Sequence, residues 1–206
     1  MREFKAMIQH TRIYLIRHGQ VNGFESFPIY GHTDIDLTEI GLLQMEKIAE
    51  RLRLVDVAAV YSSDLKRSLT GAKLISRYHD APLHPRKDLR EMYFGKWEGL
   101  TLEQIRQKYP EELEKRNQDI IEYRAPGGGE SVKHLSDRVI PVIDEILERH
   151  SNSNIIVVAH GAVNRVVLCH ALGLDLSNLF KIQQDYGCLN IIDYFPNHTL
   201  VRLMNG

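Results

Sequence analysis

Ile13-Tyr14-Leu15-Ile16-Arg17-His18-Gly19 and Ile155-Ile156-Val157-Val158-Ala159-His160-Gly161 decide the reading of this chain. Each is a short, β-branched apolar run stopped at a histidine and a glycine, the pattern of a buried strand feeding a loop. Outward from them, Asp36 to Arg53 reads as a helix with Thr38 as N-cap and Leu42, Met45, Ile48, Ala49 and Leu52 on one face. Val57 to Tyr61 is a second buried strand. Ser62-Ser63-Asp64 then reads as a helix start, with the helix running from Leu65 to about Tyr78 and Arg67 in its first turn. Pro82 to Pro85 is a short extended piece, and 101–121 is helical but broken at Tyr109-Pro110. Pro126-Gly127-Gly128-Gly129 punctuates the chain. Ser131 opens a long amphipathic helix to about His150, which Pro141 is expected to kink. A helix over Ala162–Leu172 and two late strands, Cys188–Phe195 and Leu200–Leu203, complete the pattern. Apolar strands alternating with amphipathic helices predict an α/β fold: three α/β/α layers around a mostly parallel sheet. We expect one domain over 1–206, with a helical cap insertion at about 86–130.

Composition excludes classes without naming a chemistry. With 26 Lys+Arg against 27 Asp+Glu and a net charge of −1, there is no bulk positive field to recruit nucleic acid or an anionic membrane. No apolar run reaches the roughly 18 residues of a membrane span, and the N-terminal MREFKAMIQHTR has no signal-type apolar core. Two cysteines, Cys169 and Cys188, make no disulfide framework and fit a reduced, cytoplasmic setting. The oligomeric state is open, and the late strands offer an edge through which a homodimer could pair.

The chemistry lies at the two matching strand ends. In open α/β sheets, ligands bind beyond the carboxyl ends of strands, and a glycine after each histidine lets backbone approach a ligand closely. If the strands are neighbours, His18, His160 and Arg17 converge on one point. That set suits a phosphoryl dianion, because Arg supplies planar paired donors and His can donate or attack. His10, His79, His84, His134, His150, His170 and His198 show no convergent ligand spacing, so no metal site is expected. Arg90 reads as a salt-bridge former, Trp97 as core or pocket wall, and Glu111–Arg116 as a solvated helix face.

Leu15-Ile16-Arg17-His18-Gly19 resembles the Arg-His-Gly signature of the histidine phosphatase superfamily, which includes the phosphoglycerate mutases. Further segments match in the same order. Gly31-His32-Thr33-Asp34 through Gly41 resembles the family's following loop and helix start. Ser62 through Thr70 resembles its helix bearing a phosphate-binding Arg. Leu89-Arg90-Glu91 through Gly99 resembles its acid-bearing segment, and Val158-Ala159-His160-Gly161 closes the set. The resemblance implies a phosphoglycerate mutase-like fold and a phosphomonoesterase that works without cofactor or metal on a small phosphorylated metabolite. It implies His18 as nucleophile, forming a transient phosphohistidine, with Arg17, Arg67 and His160 holding the phosphoryl oxygens. Glu91 would protonate the leaving alkoxide and then activate water. His18 must attack as neutral imidazole, with its other nitrogen fixed by a backbone carbonyl.

Departures narrow this expectation. Where the family often has Glu-Thr after Arg-His-Gly, this chain has Gln20-Val21, and Phe24 stands where an Asn is usual. Asn22 is a candidate to replace that missing polar ligand. Gln20, Asn22, Phe24, His32 and Gly161 are candidate substrate contacts, and apolar Val21 and Phe24 suggest a substrate with an apolar or ring portion. Mutases typically carry Arg after the catalytic Glu; here it is Met92, which favours hydrolysis over a 2,3-bisphosphoglycerate-dependent mutase reaction. Leu-Arg-Glu-Met and Gly-His-Thr-Asp look like segments of alpha-ribazole phosphatases of cobalamin nucleotide-loop assembly. A catalytically inactive phospho-ligand-binding module is a further alternative, disfavoured because binding alone needs neither nucleophile nor acid.

Overall fold

The computed structural model describes residues 10–26 and 28–206. The N-terminal stretch through Gln9, read above for its lack of a signal-type core, lies outside the described residues. The chain runs through β1 (Thr11–Arg17), α1 (Glu39–Leu52), β2 (Ala59–Ser63), α2 (Lys66–Ser76), β3 (Leu83–Arg86), α3 (Leu102–Lys108) and α4 (Pro110–Gln118). It continues through α5 (Val132–Arg149), β4 (Asn154–Ala159), α6 (Gly161–Leu172), β5 (Leu189–Phe195) and β6 (His198–Leu203). The six strands form one sheet in the order β3-β2-β4-β1-β5-β6. The first four in that order are mutually parallel, whereas β5 and β6 form an antiparallel flank.

The central strands read as continuous apolar runs because both faces are covered. Successive side chains point to opposite faces. Ile13, Leu15, Ile155 and Val157 therefore pack with α5 and α6 residues such as Leu135, Ile143 and Val167. Tyr14, Ile16, Ile156 and Val158 pack with α1 and α2 residues such as Met45, Ala49 and Ile75. A small third cluster, built on Trp97, Ile105 and Ala125, gathers the segment that carries α3 and α4.

Helix ends follow local chemistry. The Thr38 side chain accepts from Gly41 N at the start of α1, and Ser131 caps α5 through His134 N. Thr101 and Gln104 form a reciprocal capping box on α3, while Pro110 opens α4 where its missing N–H costs nothing. Pro141 sits on the exposed side of α5, which continues past it to Arg149.

Two expectations are corrected. Leu42 is 38% exposed, because Gly41 and Met45 take the buried side of α1 and carry the stripe past it. Ser62 and Ser63 belong to β2 rather than to a helix start. Ser62 pairs with Val158 of β4, and Ser63 pairs with Arg86 of β3, so the helix begins only at Lys66. Among the described residues no helix is long and apolar enough to cross a membrane.

Candidate active site

The two His-Gly strand ends are adjacent. β1 and β4 pair in parallel with Arg17 opposite Ala159, so His18 and His160 leave neighbouring strands at the same level. His18 N donates to Ala159 O at 3.1 Å, which ties the two exits together. The imidazoles meet edge to face with centroids 5.1 Å apart, and both side chains are buried. Two glycines allow this approach. A Cβ on Gly19 would overlap the Gly41 backbone, and one on Gly41 would overlap the Gln20 carbonyl, so the His18 loop and the α1 N-terminus touch backbone to backbone.

His18 Nδ1 lies 2.8 Å from Gly19 O. A carbonyl only accepts, so Nδ1 carries the hydrogen and Nε2 keeps its lone pair. Burial, and then the positive charges of Arg67 and Arg17, hold the His18 imidazole well below its ordinary protonation range. A neutral imidazole with an open Nε2 lone pair is able to act as a nucleophile.

The cations are held by neutral oxygens. Arg67, only 1% exposed near the start of α2, donates to Gly31 O at 2.6 Å and to Thr33 O at 2.8 Å. Its Nε donates to His160 Nδ1 at 3.3 Å. That bond requires a neutral His160, whose Nε2 then faces Ser68 Oγ at 3.3 Å. Burial first, then Arg67 and His18, push the His160 imidazole well below its ordinary range, as the bond demands. Arg17 donates to Gln184 O at 2.6 Å and lies over the Tyr186 ring at 4.0 Å.

Glu91 completes the arrangement. One carboxylate oxygen accepts from Met92 N at 2.9 Å and the other from Ala162 N at 3.1 Å, in the first turn of α6. Arg17, His18, Arg67 and Glu91 line one cleft with Val21, Pro28, Tyr30 and Tyr186. Among the described residues no group of three or more His, Cys, Asp or Glu is placed to hold a metal ion.

The secondary candidates separate. Gly161 opens α6 beside Arg17, where an added Cβ would stand 3.6 Å from Arg17 Nε. The Gln20 amide oxygen accepts from Thr38 Oγ1 at 2.9 Å and serves the α1 cap, outside the cleft lining. Asn22 is exposed in the turn after Val21, and half-buried Phe24 follows it; neither lines the cleft, although Val21 does. The His32 ring lies against Tyr93 at 5.1 Å with its Nε2 buried and unpartnered, also outside the lining. Arg90 pairs with Asp64 through contacts of 2.6 and 2.7 Å, and Trp97 is core, both as expected.

Sequence reasoning missed the supports. Glu98 accepts from the N–H groups of His32, Thr33 and Phe94, thereby fixing the loop whose carbonyls hold Arg67. Burial opposes its charged form, yet these hydrogen bonds, with Thr33 foremost, hold its carboxyl below the usual range. Tyr186 was missed because nothing in its local sequence marks it. It reaches the site because Gly187 N donates to His18 O and Arg17 N to Cys188 O.

Comparison with known families agrees with this geometry. A model of the histidine phosphatase superfamily (branch 1) matches residues 13–206. The chain belongs to that superfamily. Its relatives include the metal-independent phosphoserine phosphatase of Arabidopsis thaliana, 35% identical over 80% of this chain and 70% of that protein. The adenosylcobalamin/alpha-ribazole phosphatase of Escherichia coli is 27% identical over 95% of this chain and 96% of that one. Among solved structures, the alpha-ribazole phosphatase from Shigella flexneri superposes with a TM-score of 0.86 at 27% identity, covering 95% and 96% of the two chains. The phosphoserine phosphatase of Entamoeba histolytica with 3-phosphoglyceric acid superposes with a TM-score of 0.81 at 26% identity, covering 95% and 97%. As a histidine phosphatase this chain is an enzyme that hydrolyses phosphate monoesters through a phosphohistidine intermediate.

Proposed function

We propose that this phosphatase acts on a small phosphorylated metabolite with His18 as nucleophile, Glu91 as proton donor and acceptor, and Arg17, Arg67 and His160 around the phosphoryl group. The observation that carries the reading is the fixed His18 tautomer: Nδ1–H on Gly19 O leaves an unprotonated Nε2 beside Arg17, Arg67 and Glu91. In the first step Nε2 bonds to phosphorus, the ester P–O bond breaks, and the Glu91 proton passes to the leaving alkoxide. In the second step Glu91 takes a proton from water as its oxygen attacks phosphorus. The N–P bond breaks and inorganic phosphate leaves. The arginines neutralise charge on the equatorial oxygens, the main demand of a loose phosphoryl-transfer transition state. His160 orients Arg67 and, on releasing Ser68, donates Nε2–H to a phosphoryl oxygen.

Hydrolysis is favoured over mutase transfer because Met92 is 8% exposed and packed in the main core cluster, where a carboxylate-binding Arg stands in mutases. We place the activity in the cytoplasm, since both cysteines are unpaired and buried. Alpha-ribazole 5′-phosphate and phosphoserine are the substrates to test first, in a hydrolysis panel of metabolite phosphates. Acid-labile phosphate trapped on the wild type and absent from His18→Ala is the expected result. Turnover by His18→Ala, or a wild type that neither traps phosphate nor hydrolyses any ester, would overturn the assignment.

A further inference from the structure

The Glu111–Arg116 run was expected to be a solvated face of α4, and its last member departs from that. Arg116 is half-buried, and its guanidinium lies 5.3 Å from the centroid of the Phe180 ring. Arg165 of α6 approaches the same ring at 5.8 Å. Among the described residues no carboxylate oxygen lies within 4 Å of either guanidinium, although twelve ion pairs elsewhere engage other cations. Among the described residues Arg165 makes a single hydrogen bond, its Nε donating to Ile182 O at 2.8 Å. Glu91 and Asp185 reach it only through space. Phe180, which both cations approach, is 49% exposed.

These groups begin at the catalytic cleft. A Cβ on Gly161 would stand 3.2 Å from Arg165 Nη1 and 3.6 Å from Arg17 Nε, so Arg165 is a cation beside Arg17 at the start of α6. Arg116 and Phe180 line a small cavity together with Met92, the residue after Glu91. The carboxylate lining that cavity, Glu130, is committed to Arg138. Half-buried guanidiniums without a counter-anion are costly, and burial lowers the pKa of both while they remain charged. A ligand anion would relieve that cost through paired N–H donors.

We infer that Arg165 and Arg116, both against Phe180, form a second anion subsite that selects phosphomonoesters carrying a carboxylate beyond the ester oxygen. The inference rests on the proposed phosphatase site and names the substrate class it prefers. It sets a carboxylated substrate above one whose remainder is a neutral ring.

The test compares phosphoserine with phosphoethanolamine, which differ by the carboxylate alone, in the wild type and in Arg165→Gln and Arg116→Gln. Nitrophenyl phosphate turnover and thermal melting are followed in parallel. The wild type should favour phosphoserine in kcat/KM by about tenfold or more, equivalent to about 1.4 kcal/mol. Each variant should bring that ratio toward one, chiefly through a raised KM for phosphoserine. A wild-type ratio near one, or a ratio unchanged in both variants, overturns the subsite. Failure of the wild type to hydrolyse even nitrophenyl phosphate overturns the phosphatase reading instead. Arg116 lies on a short outer helix, so Arg116→Gln decides the matter should Arg165→Gln fail to fold.

Discussion

Arg138 makes the sharpest test of how the acid is positioned. Its Nε and one Nη2 hydrogen go to the two Glu130 oxygens at 2.7 and 2.8 Å. Nη1 donates to Asp88 O and Arg90 O, each at 2.8 Å, and Nη2 donates to Glu91 O at 2.9 Å. A guanidinium has five N–H donors, and all five are used. The side chain is 20% exposed, so water reaches it only in part. Arg138→Met keeps the aliphatic stem and removes the fork, leaving three carbonyls of the Glu91 segment and the Glu130 carboxylate short of a donor. Charge-assisted hydrogen bonds contribute about 1.5–3 kcal/mol each. Discounting for partial water access and for overlap among five bonds on one group, we expect a loss of about 3 kcal/mol. With a urea slope of about 2 kcal/mol/M, the unfolding midpoint should fall by roughly 1.5 M.

The functional half of this prediction separates positioning from bulk stability. Nitrophenolate leaves readily without a proton, whereas an alkoxide needs one, which in the proposed mechanism comes from Glu91. A displaced Glu91 should therefore cost about 10–100-fold in kcat on alkyl phosphates and distinctly less on nitrophenyl phosphate. Glu130→Gln, which leaves the three carbonyl bonds in place, should lie between wild type and Arg138→Met on both measures. A midpoint shift under about 0.5 M, or equal rate losses on the two leaving groups, would refute the clamp reasoning.

Other expectations follow from the same geometry. Burial and the arginines depress the protonation of His18 and His160, so below pH of about 6.5 the unfolded chain takes up protons that the native state refuses. Stability should thus fall as pH drops from 6.5 toward 5, by at most about 1.4 kcal/mol per pH unit for each histidine. His18→Asn should flatten that slope in melting curves, and an unchanged slope argues against a buried neutral His18. Glu98 and Glu130 act lower, since their depressed carboxyls contribute stability that is lost as pH falls below the ordinary carboxyl range. Gly41→Ala, which drives a Cβ into the Gln20 backbone, should cost about 1–3 kcal/mol, read as a melting drop of roughly 5 °C. Glu91→Gln should lose rate chiefly with alkyl leaving groups, and equal losses on nitrophenyl and alkyl esters would contradict its role as acid.

The sheet and the reacting group were legible where the signal is local. Two β-branched runs ending in His-Gly can be read without knowing anything else, and their pairing through Arg17 and Ala159 fulfils the reading. The boundary of β2 was not legible, because Ser62 and Ser63 resemble a cap until the pairing partners Val158 and Arg86 are known. The part Gln20 takes in the α1 cap was not legible for a similar reason. Its side chain is claimed by Thr38, a residue already assigned as a cap but 18 positions away. The supports Glu98, Arg138 and Tyr186 act on backbone carbonyls and N–H groups or stack on a guanidinium. Those partners carry no mark in the side-chain sequence, so long-range geometry alone exposes them.

Partner chemistry explains how a chain of net charge −1 builds an anion site. Arg12, Arg86, Arg90 and Arg138 are paired with Asp193, Glu145, Asp64 and Glu130, which fix structure and cancel charge. Arg17 and Arg67 are instead oriented by the carbonyls of Gln184, Gly31 and Thr33. A carbonyl dipole aims a guanidinium without neutralising it, so the positive charge survives in a partly desolvated cleft, where it acts more strongly than in water. The two histidines stay neutral beneath it, and Glu91 is the single carboxylate in the cleft's described lining. A phosphoryl dianion entering there supplies the charge that the protein withholds from these arginines. The same choice of a carbonyl, Ile182 O, for Arg165 is what extends that logic beyond the phosphoryl pocket.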